Sequence, residues 1–513
     1  MIFTVILIIA FILFYLYNTR DFNYWKDRGV KHDDPILLFG TNAKNYLIQQ
    51  SYTQMLVETY WKYPKEKVVG MFRSSRPTLV IRDPNIVKRI LTTDFAYFHK
   101  RGLNQHDDVV EPLFRNIFFA EGDTWRLLRQ RMTPAFTSGK LRAMFPLIVD
   151  RAERLQAYTA TAATTGRTVD ARDLMARYTT DFIGACAFGL DTDSLSDEDS
   201  TFRKLGANIL NFRLRDILVL YMKDIFPEVF KNFKIMDKVE DEMISLVKAI
   251  LKQRNYQPSG RNDFIDLLLE CKNNGLMVGE SMTKVKKDGT PEMTSLELDD
   301  VTMAAQIFIF FIAGFETSST ATSFTLHQLA YNPEVQKKVQ DEIDRVLSKH
   351  ENKLSYDAIK EMTYLEWTLK EGMRMFPSLG YLLRKCARKY TFPDLDITID
   401  AGVRVYIPVQ AMQMDPQYFE NPEEFRPERF NPEKFDGILK YVFLPFGTGP
   451  RACIGERLGL MQSLAGLAAV LSRFSVRPAP ESVRQPQVKP ASGVVQIIRG
   501  GVPLLFEERQ IAA

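Results

Sequence analysis

The chain has 513 residues, 45% hydrophobic and 25% charged, with a net charge of +4 and no low-complexity bias. These figures fit a folded globular protein of one large domain or a few ordinary ones, and the small net charge gives no argument for a nucleic-acid partner. Four dispersed cysteines (Cys186, Cys271, Cys386, Cys453) with no C-x-x-C pair exclude a disulfide framework, and five histidines without an H-E-x-x-H pattern speak against a histidine metal site.

Residues Ile2 to Tyr17 are uncharged and almost all apolar. As a helix, roughly 16 residues reach about 24 Å, slightly short of a hydrocarbon core of about 30 Å, with Tyr15 and Tyr17 suited to an interface. The start lacks the basic residue and the end lacks the small-x-small site of a cleaved signal peptide. The expectation is a retained signal anchor over residues 1–17, a linker over 18–40 and a single domain over 41–513. Arg20, Lys26, Arg28 and Lys31 all follow the span, so the positive-inside tendency places the body in the cytosol. Tyr24-Trp25-Lys26 reads as a headgroup-level segment or a solvated linker.

The stretch from Lys67 to Arg82, β-branched and broken at Ser74-Ser75-Arg76-Pro77, predicts a hairpin. Helical periodicity follows over roughly 139–160, 170–188, 230–255, 296–329, 333–349 and 356–376. Further β-rich patches run from Ile397 to Pro408 and from Val494 to Phe506, and Asp415 to Pro445 predicts a packed meander. Strands at the ends and near residue 400, with helices between, predict a mainly α domain with small β-sheets.

The segment Pro445-Phe446-Gly447-Thr448-Gly449-Pro450-Arg451-Ala452-Cys453-Ile454-Gly455 sets one cysteine among glycines and prolines, ahead of an apolar run from Leu458 to Leu471. Glycine permits tight turning and close approach to a flat cofactor. Amides at a helix N-terminus stabilise a thiolate, and a thiolate ligand pushes electron density onto iron. For an arbitrary cysteine, a buried structural role is the commoner reading. Here Phe446, Gly449, Arg451, Cys453 and Gly455 match F-x-x-G-x-R-x-C-x-G in full, and the chain resembles the cytochrome P450 superfamily.

Further motifs carry the resemblance. Glu371 and Arg374 stand three apart on one helix face, which alone signals only a surface ion pair. With Phe425-Arg426-Pro427-Glu428-Arg429-Phe430 downstream, the resemblance implies a buried structural network of Glu371, Arg374 and Arg429. Ala313-Gly314-Phe315-Glu316-Thr317 lies within an apolar helix. Thr317 bonding its own backbone is the bland account, whereas the resemblance implies a catalytic acid–alcohol pair, Glu316 and Thr317, relaying protons for dioxygen cleavage. Trp125 and Arg129, with Arg384, Arg451 and Phe446, are implied contacts of haem b, and Cys453 its iron ligand.

Counting back by helical turns from Thr317 gives Ala313, Phe310 and Ile309 on one face. Phe114 and Phe118 fall where the resemblance implies a substrate-contacting loop. Tyr24 to Val30 and Phe118 to Trp125 look most like the microsomal insect family-six detoxification group, although the usual proline-rich hinge is reduced to Pro35. The resemblance implies a monooxygenase acting on apolar molecules, xenobiotics or plant toxins, with dioxygen. It further implies electrons from NADPH through a flavoprotein reductase at the endoplasmic reticulum membrane, and no dinucleotide fingerprint occurs in this chain. Arg126, Arg131, Lys140 and Arg142 are expected to steer that acidic partner. A haem-thiolate isomerase or dehydratase, and a non-catalytic haem binder, stay open at this point.

Overall fold

The computed structural model describes residues 2–104, 106, 109–189, 206, 209, 213–261, 263–435 and 437–510. The principal helices are α1 (Ile2–Thr19), α2 (Tyr52–Lys62), α3 (Gly122–Met132), α4 (Ser138–Thr165), α5 (Ala171–Ile183), α6 (Leu214–Ile225), α7 (Asp237–Gln253), α8 (Phe264–Asn273), α9 (Asp300–Tyr331), α10 (Pro333–Lys349), α11 (Tyr356–Glu361), α12 (Thr363–Met375) and α13 (Glu456–Arg473). The strands are β1 (Val68–Arg73), β2 (Arg76–Ile81), β3 (Val169–Asp170), β4 (Met277–Val285), β5 (Pro291–Leu296), β6 (Leu382–Lys385), β7 (Tyr390–Phe392), β8 (Ile397–Ile399), β9 (Arg404–Ile407), β10 (Phe474–Pro478) and β11 (Pro503–Glu508).

Two cores meet at the functional region. The larger joins α4, α5, α7, α9, α10, α12 and α13, with α9 running through it. Asp299 starts α9 by accepting from the Thr302 amide at 2.7 Å, and at 32 residues the helix is about 48 Å long. Its long apolar character comes from burial inside the protein. The smaller core underlies the four-stranded sheet β1-β2-β9-β6. In that sheet β1 pairs antiparallel with β2, β2 parallel with β9, and β9 antiparallel with β6. By contrast α1 exposes its apolar side chains, as a helix does when nothing in the protein covers it.

Several expectations need correction. The helix expected over 356–376 is two, because Met362 leaves the helical region at φ −81° and ψ 68° between α11 and α12. The β patch from Ile397 to Pro408 divides between β8 and β9, which belong to different sheets, with the Gly402 turn between them at φ +95°. Only the end of the patch from Val494 to Phe506 is strand, β11. The β4–β5 hairpin was invisible in the sequence because β4 buries only Met277 and Ser281, leaving no alternating apolar signal. Trp25 is not part of a solvated linker. It is fully buried, and its Nε1–H donates to the Met71 carbonyl at 2.9 Å.

The meander is tied down by charge. Glu371 and Arg374 are completely buried on α12. Arg374 donates from Nε and Nη2 to the two Glu371 oxygens at 2.7 and 2.9 Å, from Nη1 to the Gln413 carbonyl at 2.9 Å and from Nη2 to the Pro422 carbonyl at 2.7 Å. Glu371 also accepts from the Arg426 amide at 2.9 Å and from Arg429 Nε at 3.3 Å. Arg374→Ala would leave Glu371 buried with only Arg429 as a longer, single-contact cationic partner, a loss of about 3–5 kcal/mol. Arg429→Ala, which keeps the central pair, should cost only about 1–3 kcal/mol. Urea unfolding checks the order, and equal sub-kilocalorie losses would contradict it.

Candidate functional site

The loop before α13 is shaped by its glycines. Gly449 has φ +75°, and a Cβ there would stand 1.9 Å from the Leu91 carbonyl oxygen, so no other residue fits. The Ala452 amide donates to Gly449 O at 3.0 Å and the Cys453 amide to Phe446 O at 2.8 Å, closing the turn that presents Cys453. Gly455 is the residue immediately before α13. Cys453 lies deep under protein, yet its surface is open to a cavity of about 290 Å³. Burial raises its thiol above the usual range, while the Gly455 N–H and the guanidiniums of Arg101 and Arg129 oppose that rise. The other three cysteines are buried. Burial pushes Cys386 up to about 11 and Cys186 higher still.

Most of the cavity wall is apolar. Phe118, Ile309, Phe310, Ala313 and Phe446 line it, and Thr317 stands on the same α9 face. Phe310 lies against Phe264 of α8 with ring centroids 3.9 Å apart. Gly314 lets α9 approach α5: a Cβ there would stand 2.3 Å from Ile183 Cδ1. Phe114, expected beside Phe118, does not line the cavity; it stacks on Phe119 at 4.3 Å.

One edge of the cavity is cationic. Arg129, Arg384 and Arg451 line it with Trp125, and the structure adds Arg101, which sequence reasoning missed. Arg451 donates to His99 O at 3.0 Å and to Glu121 Oε2 at 2.7 Å, with its guanidinium 4.1 Å from the Trp125 ring centroid. Arg129 reaches Ala452 O at 2.8 Å. Arg101 reaches Phe118 O at 2.8 Å and Arg451 O at 3.2 Å. Burial, compounded by mutual repulsion, lowers Arg451 to about 8, and burial foremost lowers Arg384 to about 9 and Arg101 to about 10. Arg384 Nε and Arg451 Nη1 are buried without hydrogen-bond partners. Buried guanidiniums with unmet N–H groups fit a bound dianion. No sequence signal singled out Arg101 within Phe98-His99-Lys100-Arg101-Gly102.

Glu316 and Thr317 separate, because adjacent helical residues point about 100° apart. Thr317 lines the cavity and its Oγ1–H donates to Ala313 O at 2.6 Å. Its own carbonyl accepts from Ser378 Oγ at 3.0 Å. Glu316 is buried on another face, paired with Arg172 of α5, and does not reach the cavity lining. Of the basic residues expected to meet a partner, Arg126 lies 3.8 Å from Glu280 of β4, Arg142 pairs with Asp357, and Lys140 lines the cavity.

The family model described as Cytochrome P450 matches residues 33–503. Among similar proteins, Cytochrome P450 6B7 of Helicoverpa armigera is 36% identical over 511 residues, covering 99% of this chain and 98% of that protein. Cytochrome P450 6B1 of Papilio polyxenes is 35% identical, covering 92% of each. Cytochrome P450 6a2 of Drosophila melanogaster is 35% identical, covering 97% of this chain and 98% of that protein.

The cavity geometry makes a chemical prediction. In cofactor-free protein, a small neutral alkylating reagent should reach Cys453 before the other cysteines. Because the thiol is raised, labelling should keep accelerating as the pH climbs past about 8.5, the ordinary thiol value. Peptide mapping by mass spectrometry reads the site, and earlier labelling of Cys186, Cys271 or Cys386 would contradict the geometry.

Proposed function

The chain belongs to the cytochrome P450 family, the haem-thiolate monooxygenases, and from that premise we propose which of its residues hold the haem, the substrate and the proton. The observation that carries the assignment is Cys453, which lines an apolar cavity bearing arginines along one edge and is exposed there, whereas Cys186, which also borders that cavity, is buried. Cys453 would hold the haem iron through its sulfur. Arg101, Arg129, Arg384 and Arg451, with Trp125, would hold the two haem carboxylates, which would supply acceptors for the unmet N–H groups of Arg384 and Arg451. Phe446 packs beside the ligand loop. Glu371, Arg374 and Arg429 hold the core on the cysteine side and touch no reacting group.

Haem b, when bound, supplies the redox centre at which dioxygen is reduced and split, one atom entering the substrate and the other leaving as water. The chain does the rest. Phe118, Ile309, Phe310 and Ala313 offer an apolar molecule a dry surface and exclude water from it. The hydroxyl of Thr317 stands on the cavity side of α9 and is a group able to donate a proton there. To donate, it must turn from the Ala313 carbonyl. Glu316 joins the route only by leaving Arg172, the guanidinium it pairs with.

The electrons come from NADPH through a flavoprotein reductase. With α1 as anchor and basic residues after it, the body sits on the cytosolic face of the endoplasmic reticulum membrane. The substrates are apolar xenobiotics such as plant toxins, a reading supported by the apolar wall and the family-six relatives. The cavity-facing Thr317 favours oxygenation over isomerisation or dehydration, which need no proton relay to dioxygen.

Cys453→Ser should abolish the long-wavelength Soret band of the reduced carbon-monoxide complex, while Cys386→Ser keeps it; the reverse pattern would sink the ligand assignment. Thr317→Ala should retain haem but form several-fold less product per NADPH consumed, with hydrogen peroxide making up the difference. An unchanged ratio would leave Thr317 as a helix residue bonding its own backbone.

A further inference from the structure

Glu121 occupies a position that the proposed haem seat does not use. At the turn into α3, it is the carboxylate that the cationic edge of the cavity shares. Its Oε2 accepts from Arg451 Nη2 at 2.7 Å and from the Arg101 amide at 3.0 Å, and its Oε1 accepts from the Gly102 amide at 2.8 Å. Its side chain is only 11% exposed. Among the described residues it is the carboxylate that acts electrostatically on Arg101, Arg384 and Arg451 alike.

Four guanidiniums along one cavity edge exceed the two negative charges of the haem carboxylates by two. In a dry site such an excess is costly and pulls the potential of any nearby redox group upward, because added cations favour the reduced form. A buried acid joined to Arg451 offsets part of the excess. It also fixes where Arg451 points: with one N–H on His99 O, one on Glu121 and the guanidinium over Trp125, Nη1 is left as the free donor. The acceptors on Arg101 N and Gly102 N hold the same loop that carries the Arg101 side chain over the cavity.

We propose that Glu121 is a positioning residue that fixes Arg451 and the Arg101 loop and, through its charge, holds the haem potential down. The inference rests on the haem reading above. If the parent protein, purified with haem supplied, shows no haem absorbance, that reading fails before any variant is compared.

The experiment is an equilibrium redox titration of the purified haem protein with dithionite and mediator dyes, without reductase or substrate. Glu121→Gln removes the charge and keeps an acceptor. The ferrous-to-ferric ratio at a fixed poise should rise on the order of tenfold, which for one electron is about 59 mV to the positive. Glu121→Asp keeps the charge and should stay within about twofold of the parent. Glu280→Gln removes the same charge from the exposed partner of Arg126; solvent screening there should leave its midpoint close to the parent's. An unmoved midpoint in Glu121→Gln, or an equal shift in Glu280→Gln or Glu121→Asp, overturns the proposal. Should Glu121→Gln fail to take up haem, the shorter neutral Glu121→Asn is titrated instead. Failure of both neutral variants, with Glu121→Asp intact at the parent midpoint, would make Glu121 structural only and also overturn it.

Discussion

The burial of a charged pair on α12 is the constraint on which the functional loop depends. Glu371 and Arg374 have no solvent contact, and two bare ions in a protein interior cost several kilocalories each unless every donor and acceptor is matched. The matching groups come from the meander and the turn before it: the carbonyls of Gln413 and Pro422, the amide of Arg426 and the Arg429 side chain. A stretch with little secondary structure is thereby held as firmly as a sheet edge would be. It then delivers Phe446 and Cys453 to one fixed place beside α9. Phe419 under the Arg374 guanidinium, with centroid and cation 5.2 Å apart, completes the enclosure.

The cavity edge has the opposite economy. Around α12 the charges are satisfied within the protein, whereas Arg384 and Arg451 are buried with unmet N–H groups and lowered affinity for their protons. Such a cluster is unfavourable alone and favourable around a dianion, so cofactor binding and local folding are coupled. The same coupling explains why a carboxylate belongs among the cations: Glu121 keeps part of the charge compensated whether or not the cavity is filled.

Helix α9 shows how one residue step separates two chemistries. Thr317 and Glu316 are adjacent, yet one faces an apolar cavity and the other pairs with Arg172 behind the helix. A hydroxyl can face an apolar cavity cheaply because it bonds the Ala313 carbonyl, whereas an ionised carboxylate cannot without a cation. The two residues proposed for the proton path therefore rest apart, one on the Ala313 carbonyl and the other on Arg172.

Sequence by itself determined the class of fold, the N-terminal apolar helix, most helices of the core and the glycine-rich loop around Cys453, because each rests on local signals: apolar periodicity, a hydrophobic run, or a spaced motif around one cysteine. It also selected Glu371, Arg374 and Arg429 as a set, although their completely enclosed geometry is a property of the packed meander. Arg101 and Glu121 carry no local signal; they matter because a turn far from the cysteine in sequence is brought against Arg451. Phe114 and Glu316 read as site residues from their neighbours, and tertiary packing turned the first onto Phe119 and the second onto Arg172. Periodicity fixes which residues share a face of one helix, but which face meets a cavity, and which charges must share it, are decided only when separate elements pack and desolvate one another.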